Sequence, residues 1–219
     1  MFYVGIVCCF IPIIAAIIIF KLKDKIKLLH QLIAFLLGLL AVIPISLVQY
    51  FVPNCQQFFP SLILYSLLKS FLLYGLVEEL FKMLLILPLP HKGYTPKNFM
   101  LLTFVLGLSL GCFENAVYFL QHLQEANSIG AELLYGQIFI RIFTSDIIHM
   151  TCTGLSGLFV YSCRNKPRKI SPLIWAIILH GVYDFFAGFN SNIRYFSLLV
   201  VLMAIIECRV KYMDIKQED

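Results

Sequence analysis

Residues 75–85 read Gly75-Leu-Val-Glu78-Glu79-Leu-Phe-Lys82-Met-Leu-Leu85, two adjacent carboxylates and an amine inside an otherwise apolar run. The run continues on both sides, from Leu62 to Leu87. That length reaches the ~20 apolar residues needed to cross a bilayer. Lipid offers an exposed backbone no hydrogen-bond partners, so such a run must be helical. The reading of this one stretch as a membrane-crossing helix with charges at depth decides the fold class.

The rest of the chain agrees. It has 219 residues, 60% hydrophobic and 13% charged, with a mean hydropathy of +0.88. Soluble domains carry about 25% charged residues, so a soluble class is excluded. Seven segments are long and apolar enough to span: Phe2–Phe20, His30–Phe51, Leu62–Leu87, Phe99–Gln121, Gly136–Cys163, Pro172–Gly188 and Ile193–Val210. They nearly fill the chain and leave only short loops. The expected fold is all-α, a polytopic membrane protein with about seven transmembrane helices in one bundle, and residues 1–219 form a single integral-membrane domain. No internal repeat or low-complexity segment interrupts it.

Basic residues set the expected orientation. Lys21, Lys23, Lys25 and Lys27 follow the first segment; Lys92 and Lys97 follow the third; Arg164, Lys166, Arg168 and Lys169 follow the fifth; Arg209, Lys211 and Lys216 follow the seventh. The intervening loops hold Glu125, Glu132 and Arg194. By the positive-inside rule the N-terminus lies outside and the C-terminus in the cytoplasm. The net charge of +5 is therefore an orientation signal, and its division among four short segments argues against a nucleic-acid partner. The first segment has its lysines after the apolar run, which reads as a retained anchor rather than a cleaved leader. Seven scattered cysteines without a C-x-x-C pair are read as packing residues.

Charge at mid-bilayer costs roughly 2.5–3.5 kcal/mol on insertion scales, so each such group needs a reason. Glu78, Glu79 and Lys82 lie in the third segment, Glu114 and Asn115 in the fourth, Arg141, Asp146 and His149 in the fifth, His180 and Asp184 in the sixth. Counting the rise of about 1.5 Å per residue puts these groups in one layer of the membrane. Glu78 and Lys82 are four apart and share a helix face, so they can pair. Glu79 points about 100° away, so the two acids need not share a task. His180 and Asp184 also share a face, where an aspartate would fix the imidazole tautomer or bind substrate. Arg141 and Asp146 read as structural, either paired with each other or placed nearer the outer interface. Gly107-x-x-x-Gly111 and Gly154-x-x-Gly157 permit close helix approach.

Four landmarks in order carry a family resemblance: Glu78-Glu79-Leu-Phe-Lys82, Gly111-Cys-Phe113-Glu114-Asn115, His149, and His180-Gly-Val-Tyr-Asp184. Over nearly its whole length the chain resembles the PrsW family of intramembrane proteases, distant relatives of the CAAX-processing and bacteriocin-processing membrane proteases. The wider superfamily has E-E-x-x-x-R, F-x-x-x-H and H-x-x-x-N; this chain has lysine at a shorter spacing, Glu114-Asn115 in the second element and aspartate in the last. The resemblance implies a glutamic-type peptidase of the bacterial cell membrane, acting on a single-span substrate such as an anti-sigma factor at site one of a stress cascade. It implies catalytic roles for Glu78, Glu79, Glu114, His149, His180 and Asp184, with Lys82 and Asn115 in support. Glu78 is the expected base, helped by Glu114 or His149. His180 would stabilise the oxyanion or protonate the leaving nitrogen, with Asp184 orienting it.

A metal-free mechanism is expected, with no cofactor. Two histidines and a glutamate are nonetheless a catalytic zinc set, which His149, His180 and one of Glu78, Glu79 or Glu114 would supply. Two other classes fit intramembrane acids and histidines: a secondary transporter or ion carrier, and a non-catalytic membrane sensor.

Overall fold

The computed structural model describes residues 2–123, 130–164 and 168–217. The described residues are helical, without strands. The helices are α1 (Phe2–Leu22), α2 (Leu28–Phe51), α3 (Leu62–Lys69), α4 (Glu78–Ile86), α5 (Pro96–His122), α6 (Ala131–Arg164), α7 (Ser171–Ala187) and α8 (Phe196–Lys216). A π-helical segment, Ser70–Val77, joins α3 to α4 so that the three run on as one rod. Among the described residues four helices, those spanning α1, α2, α5 and α6, are long and apolar enough to cross a membrane, and α7 is a shorter apolar helix. Glu125 and Lys166, both used to read orientation, lie outside the described residues.

Local chemistry sets the helix starts. Ser61 caps α3, its side chain accepting from the Leu64 amide at 3.1 Å, and Thr95 caps α5 by accepting from Asn98 at 3.2 Å. Serine and threonine are favoured there because they satisfy an otherwise orphaned amide. Pro96 and Pro172 sit in first turns, where a missing N–H costs nothing. The seventh apolar segment, read as ending at Val210, continues to Lys216. Lys211 makes this possible by pairing with Glu207 at 3.2 Å and Asp214 at 3.8 Å along one face of α8.

The antiparallel pair α5 and α6 forms the centre of the bundle. α1 and α2 pack on α5; α7 packs between the π segment, α6 and α8. The outward faces of α1, α2 and α8 keep large apolar residues exposed, such as Val7, Ile11, Leu36, Ile43, Leu202 and Ile206. Against lipid such faces need no partner, and helix association depends on close packing instead. Small residues supply that packing along the α5–α6 seam. A Cβ on Gly107 would meet the His149 carbonyl, and one on Gly111 would lie 2.8 Å from Asp146 Oδ1. From the facing helix, Gly157 abuts Thr103 and Gly154 abuts Phe104.

Contacts between helix ends and their flanking residues gather the basic segments at one end. Lys97 pairs with Asp24 at 2.5 Å, Arg164 donates to the Leu87 carbonyl, and Lys169 donates to the Asp214 carbonyl at 3.1 Å. All four clusters are thereby linked, although they are far apart in sequence.

Candidate active site

Glu79 is wholly buried and fully engaged. Its Oε1 accepts from Lys82 Nζ and from His180 Nδ1, each at 2.8 Å, and its Oε2 accepts from Ser156 Oγ at 2.9 Å. Three elements, α4, α6 and α7, meet on this one carboxylate. The π segment helps to place it. Gly75 lies against α7, where a Cβ would be 2.6 Å from the Ile177 carbonyl, and His180 is one turn further along the same helix. Widened π turns often accompany functional sites in helices.

Glu78 differs in its surroundings. Its Oε1 accepts from Gln49 Nε2 of α2 at 3.0 Å. Its Oε2 is buried without a hydrogen-bond partner among the described residues. Two nitrogens stand just beyond hydrogen-bond reach of Oε2, His180 Nε2 at 3.6 Å and Lys82 Nζ at 3.7 Å. His180 gives its Nδ1 proton to Glu79, which leaves Nε2 on the side of Glu78 Oε2, with Asp184 Oδ2 at 3.4 Å; in the neutral tautomer that nitrogen carries a lone pair.

His149 faces the same centre from α6. Lys82 has only protons to give, so His149 Nδ1 accepts from it at 3.0 Å. The His149 Nε2 proton then goes to Glu114 Oε2 at 2.8 Å. The His149 and His180 rings meet edge to face with centroids 5.0 Å apart. A cavity of about 370 Å³ opens onto this cluster, and Glu78, Glu114, His149, His180 and Asp184 line it. Glu79 and Lys82 stand behind the wall.

The structure thus brings Glu78, Glu79, Lys82, Glu114, His149, His180 and Asp184 around one centre. Asn115 lies to the side, donating to Asp146 Oδ1 at 2.8 Å and accepting from Arg141 Nε at 2.7 Å. Several pairings differ from those read off helix spacing. Lys82 binds Glu79 more tightly than Glu78, since a side chain three residues away lies nearly as close around the helix as one four away. Glu79 rather than Asp184 holds the His180 Nδ1 proton. Arg141 and Asp146 meet through Asn115 instead of directly. Gln49 and Ser156 escaped the sequence reading. Gln49 is the polar residue near the end of an apolar run, a visible but faint signal; Ser156 sits among small residues of α6 and carries none.

One ligand atom from each of Glu78, His149 and His180 lies within 4.8 Å of the other two. This set fits a divalent metal in kind: two imidazoles and a carboxylate, with an unpartnered Glu78 oxygen among them. His180 also has the outer support common for a metal-bound histidine, a carboxylate on its far nitrogen. His149 commits both nitrogens to Lys82 and Glu114, and enters such a set only by releasing one.

Compared with known protein families, residues 27–207 match the PrsW family intramembrane metalloprotease. No curated protein and no solved structure matches the chain. The match covers most of the chain, including every landmark of the cluster, and the chain belongs to the PrsW family of intramembrane proteases.

Proposed function

We propose that this protein is a multi-pass endopeptidase of the bacterial cell membrane that hydrolyses a peptide bond in or beside the span of a single-pass protein. The proposed substrate is an anti-sigma factor, cut at site one of a stress cascade. Seven spans, with the N-terminus outside and the C-terminus in the cytoplasm, accord with the gathering of four basic segments at one end of the bundle.

One observation carries the chemistry: the buried, partnerless Oε2 of Glu78 beside Nε2 of His180, at the wall of a cavity. A carboxylate oxygen without a hydrogen-bond donor keeps its lone pairs free to take a proton. Glu78 takes a proton from water at Oε2, and the oxygen attacks the scissile carbonyl. His180 relays that proton through Nε2 to the leaving nitrogen. Glu79 at Nδ1 and Asp184 near Nε2 balance the imidazolium while it lasts. Gln49 pins the other oxygen of Glu78. Glu79 is unsuited to be the base because both its oxygens are already bonded.

The residues that would hold a metal are Glu78, His149 and His180. A zinc ion, when bound, supplies a carbonyl-polarising charge and a water acidified to near neutrality. Chelation of purified protein separates the mechanisms: loss of cleavage with restoration by zinc assigns the ion, and retained cleavage assigns water activation to Glu78 alone.

The decisive experiment is co-expression with candidate single-span proteins and mapping of new termini. Loss of a general base or acid costs about 10²–10⁴ in rate. Glu78→Gln and His180→Ala should each abolish detectable cleavage while the protein still inserts. Full cleavage by both variants would remove the proposed site.

A further inference from the structure

Arg141 lines the same cavity as the reactive cluster but takes no part in it. It stands two helical turns before His149 on α6, with Ser145 between them on one stripe, roughly 12 Å from His149 along the helix. All three residues line the cavity, so the stripe is a continuous wall from the cluster to Arg141.

The guanidinium is fixed in orientation. Its Nε donates to Asn115 Oδ1 at 2.7 Å, and Asn115 is itself anchored on Asp146. Its Cζ lies over the Tyr118 ring, 4.5 Å from the centroid. Tyr118 is stacked in turn against His122 and donates to Gln137 at 3.0 Å. An arginine serving only to clamp α5 to α6 would meet Asp146 directly, but Asn115 stands between them. Glu114 binds His149 through Oε2 and makes no ion pair with Arg141. Among the described residues the guanidinium has no ion pair, and its four terminal N–H groups have no hydrogen-bond partner.

A half-buried arginine with one donor used and a planar fork left open matches a carboxylate. We infer that Arg141 is a specificity residue that receives an acidic side chain of the substrate. An extended peptide advances about 3.3 Å per residue, so the acidic residue stands three to four residues from the scissile bond. Continuity of the wall favours a peptide over a lipid phosphate, because only a chain lying along α6 would occupy both ends of it. The inference rests on the proteolytic reading above and adds to it the substrate feature that the cleft selects.

The probes are single-span Leu–Ala peptides carrying one Asp walked along the sequence, with matched Asn peptides. Full-length protein in phosphatidylcholine nanodiscs is assayed for cleavage. The Glu78→Gln protein is assayed in parallel for peptide binding, which does not depend on turnover. One Asp position should exceed its Asn partner about tenfold, as expected for a charge-assisted bidentate contact, mainly through KM. Arg141→Gln should bring that ratio to about one, and Arg141→Lys should leave it intermediate. A ratio is unaffected by partial loss of folded protein. No preferred Asp position in wild type, or an Asp preference that survives in Arg141→Gln, would overturn the assignment. So would loss of the preference when phosphatidylglycerol replaces phosphatidylcholine, which would give the fork to lipid. Absent cleavage with Asp-selective binding intact would refute the proteolytic reading but retain Arg141 as a carboxylate receptor.

Discussion

Lys82 is the ammonium at the centre of the cluster, and burial makes its removal costly. It is fully buried and touches Glu79, His149 and, less closely, Glu78. Removing one partner from a buried ion pair leaves an uncompensated charge, typically at a cost of 3–5 kcal/mol. Lys82→Met should therefore lower the thermal unfolding midpoint of purified protein sharply as well as abolishing cleavage. Gln49 offers the opposite case. It gives a single bond to the Glu78 carboxylate from a half-buried position, worth about 1–3 kcal/mol to a charged acceptor. Gln49→Leu should reduce kcat roughly tenfold or more on that energy scale, with KM and the unfolding midpoint nearly unchanged. At this scale the ionisable groups were legible because charge in an apolar run is conspicuous. Their partners were less so: helix spacing gave the Glu78–Lys82 pair, which stands at 3.7 Å, but not the closer Glu79–Lys82 contact at 2.8 Å, which side-chain rotamers set.

Helix contacts decide whether those side chains meet. Gly111 and Gly136 lie on adjacent elements in different circumstances. A Cβ on Gly111 would crowd Asp146 Oδ1 at 2.8 Å and the Asp146 Cα at 3.1 Å, whereas one on Gly136 would meet nothing within 4 Å. Overpacking costs about 1–3 kcal/mol, and an exposed glycine within a helix costs up to about 1 kcal/mol relative to alanine. Gly111→Ala should lower the unfolding midpoint and Gly136→Ala should hold or raise it in the same scan. At Gly75 a new Cβ would press on the Ile177 carbonyl, a backbone atom that cannot rotate aside. Gly75→Ala should push the π segment from α7, lengthen the Glu79–His180 contact, and reduce cleavage more than stability. The G-x-x-x-G spacing foretold a close seam but not its partner. Nothing in the residues of Ser70–Val77 announced a π turn, because that geometry follows from fitting α3 and α4 against α7 together.

Across the whole molecule, topology follows from charge and hydropathy. Reporter fusions after Lys27, Lys92, Arg168 and Lys216 should all report the cytoplasm, and fusions at Phe59 and Asn190 the opposite side; a mixed pattern would break the proposed orientation. Sequence by itself determined that the chain is helical and bound for a membrane, because lipid admits few other backbones and the apolar runs have the required length. It also determined which ionisable groups needed explanation, since their cost in lipid is large wherever the helices end up. Only the tertiary structure decided that Glu79 is saturated and Glu78 Oε2 is bare, that Gln49 reaches the site, and that Arg141 keeps an open fork. Those distinctions depend on contacts a few ångströms long between helices distant in sequence. Periodicity fixes the direction of a residue around its own helix, but packing chooses the neighbour it faces.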